Sequence, residues 1–137
     1  MRALLLALLL FAGADHACAD PKTDYLLYCR GCHLANGEGV PPEVPTLHEL
    51  GKLIATPAGR EYIVRVPGVS QTPMSDERLA AVLNWVLDEF NAGTLASDFR
   101  RYTAKEVGGA RKEVLVDPLA ARAALLQKKG SEPNNGL

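Results

Sequence analysis

Three observations predict an all-α fold. Leu79, Val82, Leu83, Val86, Leu87 and Phe90 recur at the three- and four-residue spacing of one helix face. Helix-start chemistry recurs along the chain, at Thr56-Pro57, Ser75, Thr103 and Asp117-Pro118. No segment shows the sustained apolar–polar alternation of a half-buried strand. With 137 residues, 47% of them hydrophobic and 23% charged, the chain suits one globular domain with an appendage. It is too short for a barrel or doubly wound enzyme. A net charge of −1 gives no bulk attraction to nucleic acid.

The chain opens with a segment that reads as a cleaved secretory signal. Met1-Arg2 is positive, Ala3 to Ala12 is an unbroken apolar run, and Ala17-Cys18-Ala19 is a small-residue cleavage pattern. The run is short for a membrane span, which needs about 20 residues, so a retained anchor is the weaker reading. A lipid-modified Cys18 is weaker still, because Asp15-His16 is polar for such a site. Cleavage after Ala19 implies export to the periplasm with no integral membrane span left. It also simplifies the chemistry: Cys29 and Cys32, His33 and His48, and the single Met74 remain.

The elements follow in order. Pro21 to Arg30 suits a short helix, with Pro21 in the first turn where its missing N–H costs nothing. Asn36 to Pro45 holds two glycines and three prolines and is a loop. Thr46 is placed to cap a short helix through Leu53. Thr56-Pro57 opens another, to about Val66, where Pro67-Gly68 breaks it. Gly68 to Met74 is a loop, and Ser75 caps the striped helix, with Asp76 and Glu77 in the first turn where the helix dipole favours acids. Thr103-Ala104-Lys105-Glu106 is a capping box, so Thr103–Arg111 is a helix. Pro118–Lys128 is another, and Ser131 to Leu137 reads as a disordered tail.

Cys29-Arg30-Gly31-Cys32-His33 carries the chemistry. In an exported chain, C-x-x-C-H is the attachment signature of c-type haem. Two thiols a helical turn apart can each bond one vinyl group of the same porphyrin, and the next residue then aims its imidazole at the iron. Three other readings compete. A structural zinc site wants four ligands, and only His48 or a carboxylate is left to complete one. A disulfide across two residues would leave His33 without a role. A thioredoxin-like dithiol belongs in an alternating strand–helix pattern that is absent here.

The surrounding residues carry a family resemblance. Tyr25-Leu26-Leu27-Tyr28 before the motif, Asn36-Gly37-Glu38-Gly39 and Val44-Pro45-Thr46-Leu47 after it, then Thr72-Pro73-Met74 and the helix Ser75 to Phe90, together resemble the small class I c-type cytochromes. The resemblance covers roughly Asp24 to Asn91, with Val44 standing where the family has a glycine. It implies helices wrapped around one covalently bound haem c, held through Cys29 and Cys32, with His33 as proximal ligand. It also implies that the Pro45 carbonyl orients His33, and that Trp85 packs on the first helix over Tyr25.

The distal ligand is a choice between Met74, His48 or nothing. Met74 sits in a polar loop between Pro73 and a capped helix, where a core-filling role is less natural. A thioether also suits haem iron. His48 follows Pro45 closely and is expected on the proximal side, as an ordinary partly exposed histidine. Tyr62 and Arg65, three apart on one helix face, are candidates to hold a haem propionate, against the plainer reading of a core tyrosine and a surface arginine.

The expected organisation is a signal peptide at 1–19, a haem domain at 20–96, a helical extension at 97–130 and a tail at 131–137. Residues 20–96 carry 6 basic and 10 acidic side chains, and 97–137 carry 8 and 5. The extension therefore either wraps its own acidic core or docks a redox partner. No nucleophile or general base stands out. The chain reads as a periplasmic single-electron carrier between a protein donor and acceptor, such as a periplasmic dehydrogenase and a terminal oxidase, or as the cytochrome subunit of a larger oxidoreductase. The alternatives are a haem-based ligand binder or sensor with an open distal site, and a zinc-stabilised interaction module.

Overall fold

The structure, a computed structural model, describes residues 20–131, with side chains to residue 128. The expected signal peptide and residues 132–137 of the expected tail lie outside the described residues. Within the described residues eight helices follow one another: α1 Pro21–Tyr28, α2 Arg30–His33, α3 Leu50–Leu53, α4 Pro57–Arg65, α5 Pro67–Ser70, α6 Asp76–Asn91, α7 Ala104–Ala110 and α8 Pro118–Ser131. The described residues form no sheet; Val40 and Val44 make an isolated antiparallel bridge. The all-α class is as the sequence predicts. No helix among the described residues is long and apolar enough to cross a membrane.

The centre is α6. The Ser75 hydroxyl accepts from Arg78 N–H and caps it. Leu79, Val82, Leu83, Val86 and Leu87 of the stripe are buried, and Phe90 is half-buried. Helix α1 lies on α6, with Tyr25 fully buried between them, and α3 and α7 pack on it from other sides. Asp24, 1% exposed, accepts Arg78 Nη2 at 2.6 Å and Nε at 3.2 Å, which ties α1 to α6.

Local chemistry explains most boundaries. The Asp20 carboxylate accepts from Thr23 N–H, and Pro21 opens α1. The expected helix to Arg30 is split at Cys29. Cys29 N–H still bonds Tyr25 C=O, and His33 N–H bonds Cys29 C=O, so α2 continues the path with a bend. Leu34, at φ 62°, then ends it. The Thr56 and Asp117 side chains accept from Gly59 and Ala120 N–H, as start residues should.

Three expectations are corrected. Thr46 caps no helix: its hydroxyl donates to Gly37 C=O and accepts from His48 N–H, and α3 begins only at Leu50. There the Asn91 side-chain oxygen, from α6, accepts Leu50 N–H at 2.8 Å. Pro67-Gly68 does not open a loop. The proline ends α4, because the residue before it is pushed out of helical geometry, and then starts α5 itself. The helix expected at Pro118–Lys128 does not stop there: α8 runs to Ser131.

The segment beyond α6 packs back on the rest. Arg60, from α4, forks onto Glu106 at 2.7 and 2.9 Å and donates to Arg100 C=O. Tyr102 donates its hydroxyl to Arg60 C=O and exchanges two hydrogen bonds with the Asn84 side chain. Thr103 caps α7 by accepting from Glu106 N–H, but the Glu106 carboxylate goes to Arg60. The capping box is thus used on one side only. Farther on, Leu115 N–H bonds Arg65 C=O, and α8 lies against α4.

Candidate functional site

The junction of α1 and α2 places Cys29 and Cys32 one turn apart, and i,i+3 residues share a helix face. Both are free thiols; Cys29 is half-buried and Cys32 exposed. Burial pushes the Cys29 thiol up to about 11, with the nearby charges of Asp24 and Cys32 acting the same way. Leu27, Tyr28 and Leu34 flank the motif, and each is more than two-fifths exposed, an unusual apolar rim for a water-facing turn.

His33 is half-buried. Its Nδ1 is buried without a hydrogen-bond partner. Burial lowers its pKa and favours the neutral imidazole, which is the form that binds a metal. The Pro45 carbonyl acts on the ring in the opposite sense, short of a well-aligned hydrogen bond. Gly39 brings these two residues together. Its N–H donates to His33 C=O at 3.1 Å, and its α-carbon lies so close to the Val44 and Pro45 carbonyls that a β-carbon would collide with them. Its φ of 69° also favours glycine.

Met74 is 5% exposed, in the turn between α5 and α6. His48 is engaged elsewhere: it is exposed, its Nε2 lies 2.7 Å from Asn36 C=O, and its ring sits 5.3 Å from Phe90. Tyr62 is buried. Burial raises its pKa, and a hydrogen bond and the charge of Arg122, from α8, oppose the shift. Arg65 turns to the later segment instead, donating Nε to Glu113 C=O at 2.9 Å and pairing with its carboxylate at 3.4 Å. Trp85 packs 5.1 Å from Tyr25, and the Tyr25 hydroxyl donates to Leu34 C=O.

A cleft of about 300 Å³ separates Pro41, Pro42 and Pro45 from Leu119, Arg122 and Leu126 of α8. A larger groove of about 830 Å³ lies between α4 and α7 and shares only Arg65 with the expected site residues. Size alone would choose the larger, but the reactive side chains are not in it. Among the described residues, no three His, Cys, Asp or Glu side chains gather as a metal cage, so the zinc alternative finds no ligand set.

No protein-family model matches the chain. It is 30% identical to a cytochrome c-552 of Thermus thermophilus over 148 aligned positions, covering 94% of this chain and 97% of that one. The chain belongs to the class I c-type cytochromes. A second Thermus thermophilus cytochrome c-552 is 29% identical over 120 positions, 74% of this chain and 88% of that one. Membership makes the chain, in general character, a haem c electron-transfer protein. The residues fit that group. Two free thiols on one turn, a half-buried neutral imidazole and an exposed apolar rim suit a covalently held apolar macrocycle.

The cytochrome uses residues that local sequence reading does not reveal. Asn91 Nδ2 donates to Leu47 C=O at 2.7 Å while its oxygen holds Leu50, so α6 fixes the segment just after Pro45. Arg122 meets Tyr62 from a helix about sixty positions away in sequence. Arg111 grips the Met74 turn. The sequence places these residues on their helices but holds nothing that names their partners.

Proposed function

We propose that the cytochrome is an exported, periplasmic single-electron carrier holding one haem c through thioether bonds at Cys29 and Cys32. His33 and Met74 would ligate its iron, with Pro45 orienting His33. The observation that carries this reading is the turn Cys29–His33: two free thiols on one face, followed by an imidazole whose buried Nδ1 lies beside the Pro45 carbonyl. When bound, the haem supplies a one-electron ferric/ferrous couple whose potential follows ligand type and burial.

The protein residues do the rest. Cys29 and Cys32 keep the group from dissociating. The neutral His33 offers a nitrogen lone pair, and a carbonyl at its other nitrogen sets tautomer and ring direction. Met74, buried on its turn, would supply the second protein ligand. Tyr62, with Arg122 beside it, is the group assigned to a haem carboxylate; Arg65, engaged with Glu113, is not. With both ligands held on packed turns, the group would change charge with little rearrangement of the protein. The electron donor and acceptor are redox proteins, of the type of a periplasmic dehydrogenase and a terminal oxidase.

The test is intact mass and an optical spectrum of the exported protein, ferric and then ferrous. The expected result is one covalently added haem, a start at Asp20, and a low-spin c-type spectrum with the weak far-red iron–thioether band. Cys29→Ala with Cys32→Ala should abolish the added mass. A low-spin spectrum without that band would move the distal assignment to another ligand. A high-spin spectrum with ready carbon monoxide binding would favour a ligand binder, and absence of haem mass would overturn the proposal.

A further inference from the structure

Arg111 closes α7, where its N–H bonds Val107 C=O. Its side chain crosses to the turn that carries Met74. Nε donates to Ser70 C=O at 3.0 Å, Nη2 to Thr72 C=O at 2.6 Å, and Nη1 to Met74 C=O at 2.9 Å. Nη1 also meets the Asp76 carboxylate at 3.1 Å. One planar guanidinium thus takes three carbonyls at positions 70, 72 and 74 and the first-turn acid of α6. The side chain is 17% exposed. A guanidinium is a rigid fork of five N–H donors, so these contacts hold the turn in one shape rather than merely near one place.

The grip is itself anchored. Val107 of α7 is fully buried, and Glu106 is forked by Arg60. Gly108 lies so close to the Asp76 carboxylate that a β-carbon there would collide with it. The helix that delivers Arg111 therefore sits hard against the start of α6. A thioether is an uncharged, weak ligand. Its occupancy of the iron depends on how well its backbone is pre-positioned, since a restrained loop has less entropy to lose on closing the bond.

We infer that Arg111 is the positioning residue for the distal thioether, so that the segment beyond α6 governs whether the sixth iron position is closed. This rests on the assignment of Met74 as ligand, and the experiment separates the two. The holoprotein is compared with its R111Q, R111K and M74A variants. Three quantities are followed: the far-red iron–thioether band on warming, the global unfolding midpoint, and the rate of carbon monoxide binding to the ferrous form.

In R111Q the band should disappear well below the unfolding midpoint, and carbon monoxide should bind at least about tenfold faster than to wild type, the factor set by losing one charge-assisted hydrogen bond from the ligand turn. M74A sets the rate for the fully open site, and R111K, with an ammonium in place of the fork, should fall between. If R111Q does not accumulate, R111K decides by the same comparison. Loss of the band only together with global unfolding, with an unchanged carbon monoxide rate, would overturn the inference and leave Arg111 a purely structural residue. Absence of the band in wild type, or its survival in M74A, would instead remove the Met74 assignment on which the inference rests.

Discussion

Arg60, in the middle of α4, and Glu106, in the first turn of α7, meet in a two-pronged ion pair at 2.7 and 2.9 Å. The guanidinium also lies 4.2 Å from the centre of the Tyr102 ring, and the Glu106 pairing holds its pKa above the usual arginine value. Removing one partner of such a pair strands the other charge. Arg60→Ala should cost about 3 kcal/mol in denaturant unfolding of the holoprotein. Glu106→Gln keeps one acceptor but leaves the buried guanidinium without its counter-charge, and should cost about 2 kcal/mol. Equal small losses in both would show that the fork contributes little.

The Asp24–Arg78 pair differs, because one member is buried and the other reaches water: the side chains are 1% and 34% exposed. Asp24→Asn keeps one acceptor but turns an amide N–H₂ toward the guanidinium. Allowing for screening of the exposed arginine, the cost should be about 2 kcal/mol. Arg78→Ala strands a buried carboxylate and should be worse. The comparison is read from unfolding midpoints at constant m-value. A milder Arg78→Ala would mean that water reaches Asp24.

Much of the fold was legible because its determinants are local. A stripe with a 3.6-residue period can be read directly, and so can a cap that takes an N–H three residues on. Ser75, Thr56, Thr103 and Asp117 all act as such caps. The Cys29–His33 motif was legible for the same reason, since its spacing is its geometry. What escaped spans long separations. Asn91 acts on Leu50 across 41 positions, Arg60 on Glu106 across 46 and Arg111 on Thr72 across 39. Arg65 shows the limit from the other side. Its place in a helix was legible, yet the direction of its side chain depended on where Glu113 would fold.

Tyr25 gives the stability a pH dependence. Burial pushes its hydroxyl up to about 12, and a backbone hydrogen bond opposes this. An unfolded tyrosine ionises near about 10. Between those values the native state holds a proton that the unfolded state has lost, so stability falls as pH rises. Tyr102 is raised too, mainly by burial, and adds to the slope. Thermal midpoints should hold below about pH 9 and drop above 10. Tyr25→Phe should reduce that slope while costing about 1 kcal/mol at neutral pH for the lost bond to Leu34. An unaltered alkaline slope in the variant would place its origin in the other tyrosines.

Gly39 offers the sharpest test of the proximal side. A β-carbon there would meet the Pro45 carbonyl at 2.9 Å and strike Val44, and the φ of 69° disfavours any L side chain. These obstacles are backbone atoms, so relief requires moving the 44–45 segment. The downstream end of that segment is held, because Asn91 binds Leu47 C=O and Leu50 N–H. The Pro45 carbonyl must therefore swing relative to the His33 ring. Gly39→Ala should cost about 2 kcal/mol. It should also raise the redox potential, since a weaker acceptor at Nδ1 leaves the imidazole a poorer donor to ferric iron. Gly37→Ala is the control: it has a similar φ of 78°, but its β-carbon would press on the Phe90 ring. It should cost comparable stability with little change in potential. Voltammetry of both holoproteins decides; equal potentials in the two variants would detach Pro45 from the tuning of His33.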